Sequence, residues 1–445
     1  MTTTTMTTSD DTLISVRDLR AYFDTDDGVV RAVDGVSFEI HRGEVFAIVG
    51  ESGSGKSVTA MTIMGLLPTI RIESGEIVWR GRDLLAASDE ERRQIRGGEI
   101  AMIFQDPLTA LNPVHTVGRQ IGEMARTHEG LDRRKAMARA IEMLDLVGIP
   151  EPAKRARMYP HEFSGGMRQR AMIAMAITCK PDLLIADEPT TALDVTVQAQ
   201  VLEVLLEIKD EIDSAIMLIT HDLGVVAGTA DRVMVMYAGR QAEVGSTREI
   251  FYENRHPYTL GLLASLPRLD DVGDEPLVPI KGSPPSLIRK PPGCAFHPRC
   301  RFAEVPGVCD LEVPELRLVA GDAHLAACHF AEQVGEVAVG ELRADVEGQD
   351  AEALFTDVTT DDPWAPSSSA TQEGEPVGPD GGARTGRGAG PVDAVGPGDG
   401  PVGERSRPGL AGAGPPCGVS SGRSPAGEPT AAVGGGAEVD GEVGA

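Results

Sequence analysis

The sequence predicts an α/β fold over residues 13–255, then a smaller cysteine-bearing domain at 256–330 and a disordered tail at 331–445. Three observations carry this. Apolar, β-branched runs at 45–49, 100–104, 183–186, 215–220 and 233–237 alternate with segments of helical period, the pattern of an α/β domain. Residues 256–330 are Pro-rich, lack long periodic stretches and hold four of the six cysteines. From Glu332 onward Gly, Pro, Ala, Ser and acidic residues dominate, a composition that buries too little apolar surface to offset the entropy of ordering.

The N-terminal residues 1–12 are Thr-rich, with no charge before Asp10. They lack the basic-then-apolar pattern of an export signal and are expected to be unstructured. No run of 18 consecutive apolar residues occurs, so no segment is expected to span a bilayer by itself. The chain is expected in the cytosol, with any membrane contact made through a partner. Its net charge is −27, and about half of this falls after residue 330, where 20 Asp and Glu face 6 Lys and Arg. An acidic surface repels phosphate backbones, which disfavours nucleic acid as a partner.

The strand 45–49 runs into Gly50-Glu51-Ser52-Gly53-Ser54-Gly55-Lys56-Ser57, and a helical stretch follows at 58–67. This is the G-x-x-x-x-G-K-S pattern of a phosphate loop. Its glycines let backbone N–H groups turn inward around phosphate oxygens, and the helix N-terminus adds its positive dipole end. Lys56 is expected on the β- and γ-phosphates and Ser57 on Mg²⁺.

A second element is Leu183-Leu184-Ile185-Ala186-Asp187-Glu188. It reads as a buried strand surfacing in two carboxylates, at the sheet edge where open α/β folds bind ligands. Asp187 is expected in the Mg²⁺ shell. Glu188 is expected to polarise an attacking water as general base.

The third element, Phe163-Ser164-Gly165-Gly166-Met167-Arg168-Gln169-Arg170, resembles the signature sequence of ATP-binding cassettes. Around it, Gln105 resembles the family's Q-loop glutamine, Ala192-Leu193-Asp194 its D-loop and His221 its switch histidine. Phe23 stands where the family places an adenine-stacking aromatic, with Tyr22 as the alternative. The resemblance covers 13 to about 330 and implies a P-loop NTPase cassette: a RecA-like core, an antiparallel β subdomain and a helical subdomain at about 107–162. It further implies that Ser164, Gly165, Gly166 and Asp194 contact nucleotide, and that Gln105 and His221 serve hydrolysis, Gln105 also reaching Mg²⁺. Two cassettes are then expected to pair head to tail, each signature meeting the ATP held by the other. Phe163 and Met167 depart from the commonest signature, at positions whose side chains the backbone contacts do not need.

Phe104-Gln105-Asp106-Pro107-Leu108-Thr109-Ala110-Leu111-Asn112-Pro113, His256-Pro257-Tyr258-Thr259, Leu263, Leu266-Pro267, Gly282-Ser283-Pro284-Pro285 and Gly293-Cys294-Ala295-Phe296-His297-Pro298-Arg299-Cys300 resemble the D-type ATPase of dipeptide/oligopeptide/nickel importers. That resemblance implies ATP-driven import of peptides at the cytoplasmic face of the membrane. Its implied partners are a related F-type ATPase, two permeases and an extracytoplasmic binding protein. Nickel, glutathione or another peptide-like solute are alternative cargoes.

Cys294-x5-Cys300-x8-Cys309-x18-Cys328 offers four thiolates, with His297 and His329 as substitutes or outer donors. In a cytosolic protein such a cluster points to metal before disulfide. The absence of C-x-x-C knuckles argues against a zinc ribbon, and four thiolates also suit a [4Fe–4S] cluster. Reduced structural thiols or a labile disulfide are the plain alternatives. Cys179 lies in an apolar helical run and is expected to pack as a small hydrophobe; Cys417 lies in the tail.

Non-transport cassette ATPases are disfavoured. Translation-type proteins carry two phosphate loops where this chain has one, and repair types insert long modules between phosphate loop and signature. Truncation after about Phe330 is expected to leave ATPase activity unchanged.

Overall fold

Residues 11–191, 194–265 and 280–336 are described by the computed structural model. The chain divides into residues 1–365 and 366–445, and every described residue belongs to the first. Of the segments considered above, residues 1–10, Ala192, Leu193, Leu266, Pro267 and 337–445 lie outside the described residues.

Two long strands, β1 (Thr12–Thr25) and β2 (Gly28–His41), pair as an antiparallel hairpin. After β3 (Val45–Val49) and the helix Lys56–Ile63, the strands β4 (Arg71–Trp79) and β5 (Arg82–Asp83) complete a sheet ordered β2-β1-β4-β5. The chain then lays down β6 (Ile100–Ile103), β7 (Leu183–Asp187), β8 (Ala215–Thr220), β9 (Arg232–Tyr237) and β10 (Arg240–Ser246). The last strands are β11 (Arg317–Ala320) and β12 (His324–Ala326). With β3 these seven form the second sheet, ordered β11-β12-β10-β9-β3-β8-β7-β6. From β9 to β6 its neighbours run parallel, and β10, β12 and β11 continue it antiparallel.

Every residue of β3, β6, β7 and β8 is buried. Strands of a parallel sheet are covered on both faces, so they read as unbroken apolar runs. Leu19, Val36 and Ile40 of the hairpin share one apolar cluster with Phe46 and Ile48 of β3. Phe38 stacks on Phe46 at 5.2 Å between ring centroids, pinning the first sheet over the second.

Between β6 and β7 the chain is helical. Val117–His128, Arg133–Leu146 and Gly165–Ile177 carry the apolar faces that close a second cluster around Ile121, Leu144 and Ile173, reaching Ile103 of β6. Asp132 caps Arg133–Leu146 by accepting from the N–H groups of Arg134 and Lys135, satisfying donors a helix start leaves open. Cys179 follows this region, and burial pushes its thiol up to about 11.

The described residues of this C-terminal region, 256–265 and 280–330, pack onto the same sheet. β12 pairs with β10, placing Glu243 opposite Ala326. Tyr258 and Phe296 join Tyr237 of β9 in a ring cluster with centroids 4.6–5.4 Å apart. Residues 331–336, expected within the tail, are helical, with Ala331 and Val334 fully buried. These two small apolar side chains pack with Leu260 and Ala326, and that burial is what orders the turn. At the other end β1 begins at Thr12, inside the segment expected to be unstructured.

Candidate functional site

Four parallel strands end on one edge of the second sheet, and each end delivers a site residue. β3 runs into the loop 50–57, β6 precedes Gln105, β7 ends at Asp187 before Glu188, and β8 precedes His221. The loop residues 51–57, Gln105, Glu188 and His221 line a cavity of about 540 Å³.

The loop is shaped by glycines that nothing else replaces. Gly50 has φ 150° and Gly55 φ 104°. A Cβ on Gly50 would lie 2.3 Å from the Met236 carbonyl oxygen, and one on Gly55 2.3 Å from that of Ala32. Lys56 is 4% exposed, and its Nζ donates to the carbonyls of Gly50 (2.7 Å) and Glu51 (3.0 Å). Burial lowers its pKa, against the opposing pull of Glu188, Asp187 and Glu51. The Ser54 hydroxyl is buried and has no hydrogen-bond partner among the described residues. A buried polar atom left unpaired costs free energy, so Ser54 fits a site that an oxygen-rich ligand completes.

Ser57 Oγ donates to Asp187 Oδ1 at 2.9 Å. Burial, with the charge of Glu188 adding, pushes the Asp187 carboxyl up. This hydroxyl–carboxylate pair, set in excess negative charge, is an oxygen donor set suited to a hard divalent cation such as Mg²⁺.

Glu188 sits at φ 47°, a left-handed conformation uncommon for a side chain with a Cβ. Its N–H donates to the Ile219 carbonyl at 2.9 Å, which holds the turn against β8. One carboxylate oxygen, Oε2, accepts from Gln105 Nε2 (2.8 Å) and Thr191 Oγ1 (2.9 Å). The other, Oε1, lies 3.6 Å from His221 Nδ1. Thr191 was missed in the sequence; its only signal is its place three residues after the acid.

The remaining expected residues lie apart from the cavity. Ser164 caps the helix Gly165–Ile177, accepting from the Met167 N–H at 3.3 Å. Ser164 and Gly165 are exposed, and a Cβ on Gly165 would meet nothing within 4 Å. Asp194 is exposed and caps the helix Val195–Ile212 through the Val197 N–H. Phe23 is half-buried on β1, opposite Val30. Tyr22 points inward, and its hydroxyl donates to Asp34 at 2.8 Å, which leaves Phe23 as the accessible ring.

The four clustered cysteines form no disulfide. Among the described residues no three His, Cys, Asp or Glu side chains are grouped to hold a metal ion, so the expected thiolate centre is not preformed. The thiols do sense one another. Burial first, and then the charges of Cys300, Cys294 and Cys309, push Cys328 up to about 12; burial likewise takes Cys300 up to about 11. His297 Nδ1 and His329 Nε2 face the carbonyl oxygens of Cys294 and Glu312, not thiols.

A family model described as ABC transporter matches residues 33–191, and one described as the oligopeptide/dipeptide transporter C-terminal region matches 242–306. The dipeptide transport ATP-binding protein DppD of Bacillus subtilis is 54% identical over 329 residues, 74% of this chain and 97% of that protein. The oligopeptide transport ATP-binding protein OppD of Salmonella typhimurium is 54% identical over 65% of this chain and 87% of its own length. A dimeric post-hydrolysis ATP-binding cassette bound to ADP and Pi is similar at 25% identity and a TM-score of 0.49, covering 53% of this chain and 99% of that one.

Proposed function

Because the chain belongs to the ATP-binding subunits of oligopeptide/dipeptide ABC transporters, we propose that it powers import of di- and oligopeptides by hydrolysing ATP. The observation that carries the ATPase reading is the one cavity that joins phosphate loop, Gln105, Glu188 and His221; the peptide cargo rests on the relatives. Bound ATP and Mg²⁺ supply the transferable phosphoryl group and the charge that offsets its transfer. Lys56 and the loop N–H groups would hold phosphate oxygens, and Ser57 and Asp187, with Gln105 on the same cavity as Ser57, would hold the cation.

Gln105 and Thr191 fix one oxygen of Glu188. The other is left to orient an attacking water and accept its proton, with His221 beside it. Phe23 offers a ring to the adenine. Ser164, Gly165, Gly166 and Asp194 lie away from this cavity, as expected of residues that serve the nucleotide of a partner cassette. The partner is read as a distinct F-type ATPase, working with two permeases and an extracytoplasmic binding protein. The chain is read as a peripheral subunit on the cytoplasmic face, a reading supported by its kinship to transport ATP-binding proteins; among the described residues no helix is long and apolar enough to cross a membrane.

The test is uptake of labelled di- and tripeptides, with and without competing Ni²⁺, in cells carrying wild type or Glu188→Gln. Loss of a positioned general base slows the chemical step by about 10²-fold or more, so peptide uptake should collapse while ATP binding persists. Unchanged uptake in cells without a redundant importer sinks the peptide reading. Loss of nickel uptake instead changes the cargo and keeps the engine.

For Cys294, Cys300, Cys309 and Cys328 the proposal is a thiolate-held [4Fe–4S] cluster or Zn²⁺ that closes the site on binding. Its support is the pair of backbone donors aimed at sulfur: Phe302 N–H to Cys300 Sγ at 3.3 Å and Phe330 N–H to Cys328 Sγ at 3.4 Å. Burial raises the Cys294, Cys300 and Cys328 thiols, and a bound cation offsets the cost of ionising them. Iron, zinc and sulfide analysis of the purified full chain decides it, and a metal-free, fully folded protein rules the centre out.

A further inference from the structure

Glu51 is an acid inside a phosphate loop. It lines the cavity, where Asp187 and Glu188 already add negative charge, and an unpaired carboxylate there would repel a polyphosphate. It is paired instead with a cation from far along the chain. Arg299 meets it in a two-pronged ion pair, Nη1 to Oε2 at 2.6 Å and Nη2 to Oε1 at 2.9 Å. The fork geometry of guanidinium and carboxylate makes this a strong, oriented contact.

Arg299 is itself immobilised. Its side chain is 5% exposed. Nε donates to the Lys281 carbonyl at 3.0 Å and Nη1 to the Tyr237 hydroxyl at 3.2 Å. The guanidinium also stands 5.8 Å from the Tyr237 ring centroid and 5.9 Å from that of Phe296, within reach of a cation–π attraction. The Glu51 backbone is fixed from the same side, its N–H donating to the hydroxyl of fully buried Tyr258 at 2.8 Å. Both the charge and the main chain of one loop residue are therefore set by residues 237–299.

We propose that Arg299 is a positioning residue for nucleotide binding, neutralising Glu51 and holding it aside so that the phosphate loop presents a net positive cradle. This rests on the reading of the cavity as an ATP site. It makes the 256–330 segment part of the nucleotide machinery without touching the reacting atoms.

The test measures ATP affinity, KM and kcat of the full chain for wild type, Arg299→Gln, Arg299→Lys, Glu51→Gln and the double variant Arg299→Gln/Glu51→Gln. Exposing one like charge beside the phosphates at a protein-like effective dielectric should weaken ATP binding about tenfold in Arg299→Gln, with KM rising and kcat little changed. Glu51→Gln should bind at least as well as wild type, since it deletes the charge that needs neutralising. The double variant should return to within about threefold of wild type, the non-additivity expected of two groups in contact. Arg299→Lys keeps the charge but loses the fork and its stacking, so its affinity should fall between wild type and Arg299→Gln.

A double variant as weak as Arg299→Gln would overturn the proposal, because the loss would then be structural. So would an Arg299→Gln protein that binds ATP like wild type, or an Arg299→Lys protein weaker than Arg299→Gln. A wild-type chain that binds no ATP would instead remove the reading beneath it, and the inference with it.

Discussion

Asp34 illustrates how one residue gathers partners the sequence scatters. It is 4% exposed, and Oδ1 accepts from Arg20 (3.0 Å) and the Tyr22 hydroxyl (2.8 Å). Oδ2 accepts from Arg240 (3.0 Å) and Lys290 (3.2 Å). Burial opposes ionisation, but Lys290, Tyr22 and Arg240 together outweigh it and hold the carboxyl down at about 2. Lys290 responds in the other direction: burial takes its ammonium down to about 8, against the pull of Asp34. A carboxyl depressed in the folded state contributes stability above its unfolded pKa, and that contribution is lost as pH falls through its folded value. Asp34 should therefore stabilise the fold by about 2 kcal/mol above pH about 4, fading towards pH 2. Urea unfolding of wild type and Asp34→Asn across this range checks it: the stability gap should shrink on acidification, and a constant gap would refute the assignment.

At the scale of elements, the joint between β10 and β12 rests on a buried acid. Glu243 and His324 are both fully buried, with Oε1 2.8 Å from His324 Nε2, and Glu243 also accepts from the N–H groups of Arg255 and His256. Removing one partner of a buried pair strands the other, at a cost of about 3–5 kcal/mol. Glu243→Ala should thus lower thermal stability sharply. The exposed pair Arg317–Glu332, whose side chains are 42% and 62% exposed, is the control: Glu332→Ala should cost less than about 1 kcal/mol. Equal effects from the two variants would contradict the burial argument. The same joint explains which strands escaped the sequence. β3, β6, β7 and β8 announce themselves as continuous apolar runs. β11 and β12 are four and three residues long and are held by long-range pairing, β12 on β10 and β11 on β12.

For the whole molecule, every residue assigned to nucleotide, together with Arg299, Tyr258 and the buried turn at 331–336, precedes residue 337. Truncation after Glu336 should leave kcat and KM for ATP within about twofold of the full chain, as expected when the removed composition supports no packed core. Cutting after Phe330 should be worse than the composition alone suggests, because it removes Ala331 and Val334 from their cluster. Steady-state ATPase assays of both truncations separate these outcomes, and a large loss after the Glu336 cut would give residues 337–445 a role in turnover.

Much of the candidate nucleotide site was legible in the sequence because the pattern it needs is local. A phosphate loop must follow a strand and open a helix, and a catalytic acid must follow an apolar strand that surfaces. Those requirements are written in consecutive residues, so Lys56, Ser57, Asp187 and Glu188 could be named from the sequence, whereas Gln105 and His221 rest only on the family resemblance. The Arg299–Glu51 fork spans 248 positions, and the Asp34–Lys290 contact spans 256. Neither has a sequence pattern, since an ion pair asks only that two side chains meet. Nor could cysteine spacing decide whether four thiols close around a metal, because that depends on where the turns of 294–328 place each sulfur. Folding made those choices, through long-range packing that no short run of residues encodes.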